Sequence, residues 1–201
     1  MIKCEVSICA NITRNAIVKS GKDNQQFVTF GVSLPLKGRN GEQKNLEISV
    51  TCDGDKGTAA SYTTGRRVNI LGNLIPRKKG GKVFFNLRAD GGIEFAKSTA
   101  DDKIEGTMEF KGKIGKKGVD CKTDRKGEPY KAFSAFSSDK DGDNVEFVWV
   151  RFLYFHPKDG EDFLQAGSYI SAKGDLQLGV FKEDISLDCR VSEVSHWEIN
   201  K

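Results

Sequence analysis

The sequence has few of the residues and runs that build metal sites, disulfide frameworks or membrane spans. It contains two histidines and five scattered cysteines, with no Cys-x-x-Cys pair. Such usage argues against a structural zinc site or a disulfide framework and is typical of reduced, buried thiols. No apolar run approaches the roughly 18 residues of a transmembrane helix, and the N-terminus alternates instead of forming a signal peptide's apolar run. We therefore expect a cytoplasmic protein without metal, cofactor or membrane contact.

Motifs of catalysis are also missing. Nothing resembles a Gly-x-Ser-x-Gly nucleophile elbow or a phosphate loop that ends in Gly-Lys-Ser/Thr. The glycine-rich stretch Gly112–Gly118 continues a strand pattern without a following helix, so neither a P-loop nor a KH-type loop fits that context. We expect no enzymatic activity.

Charge is distributed unevenly between the two halves of the 201-residue chain, which has a net charge of +4. Residues 1–103 hold 17 Lys and Arg against 10 Asp and Glu, a net +7, whereas residues 104–201 hold 15 against 18, a net −3. Such an asymmetry suggests two units that face a polyanion differently.

Apolar residues recur with a period of two along most of the chain, which is typical of strands with one buried face. In the first half these runs cover residues 2–12, 28–34, 46–52, 68–74 and 83–89, and residues 53–65 leave room for a short helix. In the second half they cover residues 108–114, 133–135, 148–152, 170–176 and 185–191.

The two halves align on each other at offsets of about 102 residues, so that Phe30 meets Phe133 and Gly72 meets Gly174. A repeat of this length indicates a domain duplication rather than a solenoid. We predict a first domain over residues 1–98, a linker over 99–104 and a second domain over 105–199.

Five short strands with a helix after the third, in about 95 residues, fit a small closed Greek-key barrel of the OB type. A β-sandwich would usually have seven strands in that length. The predicted fold is therefore all-β: two tandem five-stranded OB-fold barrels, each with a short helix between strands three and four.

Strand parity leaves several large side chains on the solvent side of the barrels, and aromatic groups in such places require a reason. Stacking on nucleic-acid bases would supply one, with flanking Lys and Arg holding the phosphates. The alternative is that the other barrel or a dimer partner covers these rings. The outward candidates are Phe27, Arg67 and Phe84 in the first half and Tyr130, Phe136, Phe147, Trp149, Arg151 and Lys173 in the second.

Two basic clusters fall on connections between strands. Arg77, Lys78 and Lys79 lead into a Gly-Gly turn between strands four and five of the first half. The second cluster follows the linker and includes Lys116 and Lys117. A charge run is usually a solvated loop, but OB barrels use these two connections to hold single strands.

Two segments of the second half carry short motifs that resemble those of a known protein family. Phe147–Phe155 contains a Trp-x-Arg stretch that leads to a Phe, and Leu164–Leu176 contains Leu-x-x-Gly and later Gly-x-Leu. In these motifs the second half resembles the third and fourth strands of bacterial single-stranded DNA-binding proteins. The resemblance implies stacking roles for Trp149, Phe155 and Phe181 and a phosphate role for Arg151.

The first half departs from this pattern. Ser49 stands opposite Trp149 in the repeat, and Lys79 falls near the place of Phe181. We therefore expect the first half to bind more by charge than by stacking. The given sequence also ends without the acidic, apolar C-terminal tip by which the family typically recruits replication and repair enzymes, so the resemblance does not extend to that role.

These observations predict non-sequence-specific binding of single-stranded DNA by phosphate capture and base stacking, as in replication, repair or recombination. Two alternatives stay open: a duplicated OB-fold module for protein–protein interaction, and an RNA-binding protein. Tandem-barrel members of the family are dimers with four barrels per assembly, so the resemblance implies a homodimer.

Overall fold

The computed structural model describes residues 1–21, 23–38, 41–141, 144–158 and 160–198. Within these ranges no helix is long and apolar enough to cross a membrane. The elements in chain order are β1 (Ile2–Ser20), β2 (Gln26–Lys37), β3 (Gln43–Asp53), α1 (Lys56–Ser61), β4 (Arg67–Lys79), β5 (Lys82–Arg88), β6 (Ile93–Phe95), β7 (Lys103–Thr123), β8 (Pro129–Asp141), β9 (Asn144–Phe155), β10 (Tyr169–Phe181) and β11 (Asp184–His196).

The strand pairings close two barrels of the same topology. In the first, β1 pairs with both β2 and β4, β2 pairs with β3, and β5 joins β3 in parallel and β4 antiparallel. In the second, β7 pairs with β8 and β10, β8 pairs with β9, and β11 joins β9 in parallel and β10 antiparallel. The predicted pair of five-stranded OB barrels is confirmed.

Equivalent residues of the repeat occupy equivalent places in the two barrels. Gly72 and Gly174 lie where a Cβ atom would collide with a main-chain oxygen, that of Arg88 in the first barrel and that of Arg190 in the second. Each glycine therefore permits a close approach of neighbouring strands at the same corner of its barrel. The sequence repeat thus preserves the backbone geometry that closes each barrel.

The two barrels are joined edge to edge through β1 and β7. These strands pair antiparallel from Ile2 opposite Phe110 to Cys9 opposite Lys103, which makes one continuous eleven-stranded sheet. The buried side chains of both barrels form a single apolar cluster. β7 begins at Lys103, inside the segment 99–104 that the sequence predicted as a linker, and residue 199 of the predicted second domain lies outside the described residues.

The predicted short helix is present in the first barrel and was wrong for the second. In the first, the Asp55 carboxylate caps α1 by accepting a hydrogen bond from the Thr58 amide at 3.0 Å. In the described part of residues 156–168 the chain forms turns and no helix. His156 has a φ of +55° and precedes Pro157, which disfavours helical backbone, and Gly160 and Gly167 also have positive φ. The short strand β6, which pairs with β4, was not predicted.

Candidate nucleic-acid interface

The outer face of β8 and β9 carries five aromatic side chains, which we call the aromatic stripe: Tyr130, Phe136, Phe147, Trp149 and Phe155. The register places Phe136 opposite Trp149 and Tyr130 opposite Phe155. The ring centroids in these two pairs are 4.9 and 5.2 Å apart, and Phe136 also contacts Phe147 at 5.0 Å. The stripe therefore consists of two groups of touching rings, Tyr130 with Phe155 and Phe136 with Phe147 and Trp149.

Trp149 lies on this face because its neighbours Val148 and Val150 point into the barrel, where each is at most 3% exposed. Trp149 itself is 49% exposed and Phe147 is 42% exposed. The indole ring lies against Gly115 of β7, where an added Cβ atom would come within 2.9 Å of a ring carbon. Gly115 thus leaves room for the large indole ring of Trp149, whose outer part remains in solvent.

Two arginines flank the stripe on its β9 and β11 side. Arg151 forms an ion pair with Asp188 of the adjacent β11, and its side chain is 42% exposed. The Arg190 guanidinium lies 5.1 Å from the centre of the Phe155 ring. Arg151 is consequently fixed in place beside Trp149, and Asp188 partly neutralises its charge.

Lysines are presented next to the stripe by a bulge in β7. Ile114 pairs with Ala135 but Val119 already pairs with Phe133, so residues 115–118 have no ladder partners. Gly118, with a φ of +74°, closes this bulge. Lys116 and Lys117 are exposed there, and in the part of the chain that the structure describes neither forms an ion pair. Their charges are therefore available to an anionic ligand.

Phe181 and the first-barrel aromatics lie apart from the stripe. Phe181 is 64% exposed at the β10–β11 turn, where the Lys182 ammonium lies 5.5 Å from its ring centre. Phe84 of β5 is 51% exposed, and Phe27 of β2 is partly exposed. Among the described residues we find no ring contact between these three side chains and the stripe.

The outward placement predicted for Arg67 is wrong. Arg67 is only 8% exposed. Its guanidinium donates hydrogen bonds to the Asp102 carboxylate at 2.6 Å and to the Asn11 side-chain amide oxygen at 3.1 Å. The connection between the barrels, which contains Asp102, packs over Arg67. Strand parity cannot show this, because it describes only the strand on which Arg67 lies. Arg67 is therefore a buried ion-pair partner that a phosphate cannot reach in this arrangement.

The first basic cluster is held by the other barrel. Arg77 forms an ion pair with Asp139 of β8, and the Lys78 amide donates to the same carboxylate at 3.4 Å. Beyond it, the amides of Gly80 and Gly81 donate to Glu146 of β9 at 2.6 and 3.3 Å. Lys79 is also engaged. The β4–β5 hairpin thus fastens the barrels together, and two carboxylates occupy the positions that the sequence assigned to phosphates.

Lys173 of β10 is exposed, but its neighbours are acidic. Its ammonium lies 2.8 Å from the Glu109 carboxylate. This hydrogen bond raises the pKa of Lys173 and lowers the pKa of Glu109, with Glu5 and Glu193 adding to the effect on Lys173. A phosphate would have to displace Glu109, so this position is a weaker candidate than Lys116 and Lys117.

Sequence reasoning missed Arg14, which covers the first-barrel surface equivalent to the stripe. Its side chain packs against Gly31 of β2, and its guanidinium lies 3.5 Å from the Ser49 hydroxyl. The bulges of β1 around Arg14 break the alternation that parity relies on. The predicted correspondence of Ser49 with Trp149 is wrong: Ser49 pairs with Gly31 as Arg151 pairs with Ser134, so Ser49 corresponds to Arg151, and Glu47 stands at the place of Trp149.

No protein-family model and no curated protein sequence matches this chain. Among solved structures, the wild-type single-stranded DNA binding protein from Thermus aquaticus aligns with 98% of this chain and 94% of its own, at 12% identity and a TM-score of 0.50. A deletion mutant of that protein aligns at 12% identity over 98% and 96% with a TM-score of 0.49. A Plasmodium falciparum protein in complex with single-stranded DNA matches 46% of this chain and 94% of its own, at 13% identity and a TM-score of 0.37. The wild-type match shows a shared tandem-barrel fold.

Proposed function

We propose that this protein binds single-stranded DNA without sequence preference, mainly through the aromatic stripe of the second barrel. The observation that carries the proposal is the exposure of Trp149 and Phe147, at 49% and 42%, beside a β7 bulge whose exposed Lys116 and Lys117 form no ion pair with any residue that the structure describes. Exposed aromatic rings beside lysines are the arrangement by which OB folds hold single strands. The shared fold with the Thermus aquaticus single-stranded DNA binding protein agrees with this choice.

The binding mechanism combines two physical effects. Bases stack on Trp149 and its neighbours, because every base offers an aromatic face regardless of its identity. Lys116 and Lys117 neutralise phosphates and release counterions, which makes the affinity depend on salt. Duplex DNA keeps its bases stacked inside the helix, so the stripe selects single strands.

The first barrel contributes charge rather than stacking. Its half of the chain carries a net +7. Arg14 reaches Ser49, where the second barrel has Arg151, and Glu47 stands at the place of Trp149. Several other basic groups, such as Arg67 and Arg77, are already paired with carboxylates. The net positive field attracts the DNA backbone at longer range, while the second barrel makes the close contacts.

The remaining parts of the proposal rest on the resemblance and the motif content. The chain acts as a binding protein rather than an enzyme, in the cytoplasm, as a homodimer with four barrels per assembly. Its domains span residues 1–98 and 105–199. Its role is to coat single strands during replication, repair or recombination.

The direct test compares labelled dT and rU oligonucleotides with duplex DNA of the same length, by fluorescence anisotropy at several salt concentrations. The proposal predicts the tightest binding for dT, weak binding for duplex, and an affinity that falls steeply with salt. Equal affinity for duplex, or an affinity independent of salt, would contradict it. Tighter binding of rU would favour the RNA alternative.

A second test separates DNA binding from a protein–protein interface. If a second copy covers the stripe, the Trp149→Ala variant will shift the assembly toward monomers in sedimentation, and the affinity for DNA will fall only through lost subunits. If bases cover it, the sedimentation will be unchanged while the affinity falls.

A further inference from the structure

A second group of aromatic and basic side chains lies one strand away from the stripe. Tyr169, in the first position of β10, packs edge to face against Trp197 at a centroid distance of 6.0 Å. The Trp197 amide donates to the Tyr169 carbonyl at 3.0 Å, which folds the end of the chain over the start of β10. Both rings are partly exposed.

Two lysines of β7 lie over these rings. The Lys113 ammonium is 5.2 Å from the centre of the Tyr169 ring, and the Lys111 ammonium is 6.0 Å from that of Trp197. Within the ranges that the structure describes, neither lysine forms an ion pair. The Trp197 indole N–H and the Tyr169 hydroxyl likewise have no hydrogen-bond partner there. The group therefore combines two lysines that form no ion pair among the described residues with two partly exposed aromatic rings.

This group is continuous with the aromatic stripe through β7. Lys113 pairs with Phe136 of β8 on one side and with Tyr169 of β10 on the other. Two strand spacings, about 10 Å, therefore separate Phe136 from Tyr169 along the sheet. At about 3.4 Å or more per nucleotide, about three nucleotides cover that distance. Lys113 lies between the two groups, where a phosphate of such a segment would pass.

Resting on the proposed function, we infer that Tyr169 and Trp197, with Lys111 and Lys113, form a second stacking site for the same single strand of DNA. The strand leaves the stripe at Phe136, crosses β7 beside Lys113, and places a further base against Tyr169 and Trp197. Acidic neighbours direct the path, because the outward pair beyond Lys111 and Ser171 along β7 and β10, Glu109 with Lys173, is already compensated. The strand therefore turns toward Trp197 at this point.

The test uses the full chain labelled with 5-fluorotryptophan, so that Trp149 and Trp197 give separate ¹⁹F NMR signals, assigned with the Trp197→Phe variant. Oligo(dT) of about 4 to about 16 nucleotides covers the range of site sizes found for one OB fold. We expect the shortest oligonucleotides to shift the Trp149 signal alone and longer ones to shift both. A Trp149 signal that shifts while the Trp197 signal stays fixed at every length would overturn the inference and leave the proposed function intact. If neither signal shifts and no affinity is found, the proposed function fails as well.

Affinity measurements on variants separate binding from a structural role. Trp197→Ala should weaken binding of the longest oligonucleotide by between about 5-fold and about 140-fold, the equivalent of one stacked base, and leave the shortest unaffected. Lys111→Gln with Lys113→Gln should lower the salt slope by about 1.4 for the long oligonucleotide only. Lys56→Gln with Lys97→Gln, two lysines away from both groups, is the matched control. An equal loss at all lengths, together with a lower melting temperature, would show that Trp197 only closes the barrel and would overturn the inference.

Discussion

The two barrels of this protein have the same inward face and different outward faces. At the inward positions, Phe30 and Val50 of the first barrel correspond by strand register to Phe133 and Phe152 of the second, and all four are buried. At the outward positions, Ser33, Asn45 and Glu47 of the first barrel stand where the second has Phe136, Phe147 and Trp149.

The difference shows which residues the fold depends on. An OB barrel forms from the alternating buried residues and the close strand approaches at Gly72 and Gly174, so the outer face can change without loss of the fold. In the first barrel Arg14 covers Gly31 and reaches Ser49. In the second, Trp149 covers Gly115. Because Ser49 corresponds by register to Arg151, both barrels present an arginine at this place, and only the second adds aromatic rings beside it.

The strongest way to break this comparison is the pair Trp149→Ala and Glu47→Ala, which truncates equivalent positions of the two barrels. Loss of one stacked base should weaken DNA binding by about 1–3 kcal/mol, whereas Glu47→Ala removes an exposed negative charge and should not weaken it. Both variants should keep nearly the wild-type free energy of unfolding, since Trp149 is 49% exposed and a core Trp→Ala change costs about 3–5 kcal/mol. Titration by anisotropy and urea unfolding measure the two quantities. A similar loss of affinity in both variants would remove the distinction between the barrels.

The basic groups provide the next test, because some are free and others are paired. Lys116→Gln with Lys117→Gln should reduce the slope of log affinity against log salt by about 1.4, at about 0.7 per phosphate contact. Arg77→Gln should leave that slope unchanged and lower the melting temperature, because Asp139, whose side chain is 13% exposed, loses its partner. A reduced slope in Arg77→Gln with an unchanged melting temperature would mean that this hairpin contacts DNA after all.

Thiol reactivity offers a smaller effect on the same surface. Cys121 is exposed in β7 beyond the bulge, whereas Cys4 and Cys189 are buried, and burial raises the pKa of both buried thiols to about 12. At pH 8 a maleimide should therefore modify Cys121 readily and these two hardly at all. Saturating oligo(dT) should slow the modification of Cys121 several-fold if DNA lies along β7 and β8. Mass spectrometry on the Cys9→Ser variant follows the modification of Cys121 without a contribution from the half-buried Cys9. An unchanged rate of Cys121 modification at saturating oligo(dT) would mean that the DNA does not lie along β7 and β8.

The smallest expected effect is a gain. Glu47→Trp places a ring in the first barrel at the position of Trp149, but Ser33 and Asn45 stand there where Phe136 and Phe147 flank the ring in the second barrel. The affinity should rise by about 1 kcal/mol or less, below the loss in Trp149→Ala. A gain as large as that loss, measured by the same titration, would mean that the neighbouring rings of the second barrel add nothing to Trp149.

Most of the fold could be predicted from the sequence because its signal is local. The alternation of residues such as Val148, Trp149 and Val150 fixes which side chains are buried, and the repeat at about 102 residues doubles the evidence. The second helix could not be inferred by analogy with the first, since Pro157 and Gly160 change the backbone there. The pairing of β1 with β7 was also not predicted, because a contact between strands that are far apart in the chain leaves no periodic pattern in the sequence.

The candidate site was predictable in its aromatic part and less so in its charges. Trp149 and Phe147 are exposed as strand parity requires. For an arginine, however, parity does not show whether a carboxylate from a distant segment lies beside it. Arg67 with Asp102, Arg77 with Asp139 and Arg151 with Asp188 each find such a partner 35 to 62 residues away.

The most direct measurement of the central claim is the fluorescence of Trp149 in the Trp197→Phe variant, where it is the sole tryptophan. Titration with poly(dT) should quench it to a saturable end point, and added salt should reverse the quenching. Duplex DNA at the same phosphate concentration should produce little change. Trp149 fluorescence that is unchanged at saturating poly(dT), in a folded protein with measurable affinity, would contradict the claim that the aromatic stripe holds the bases.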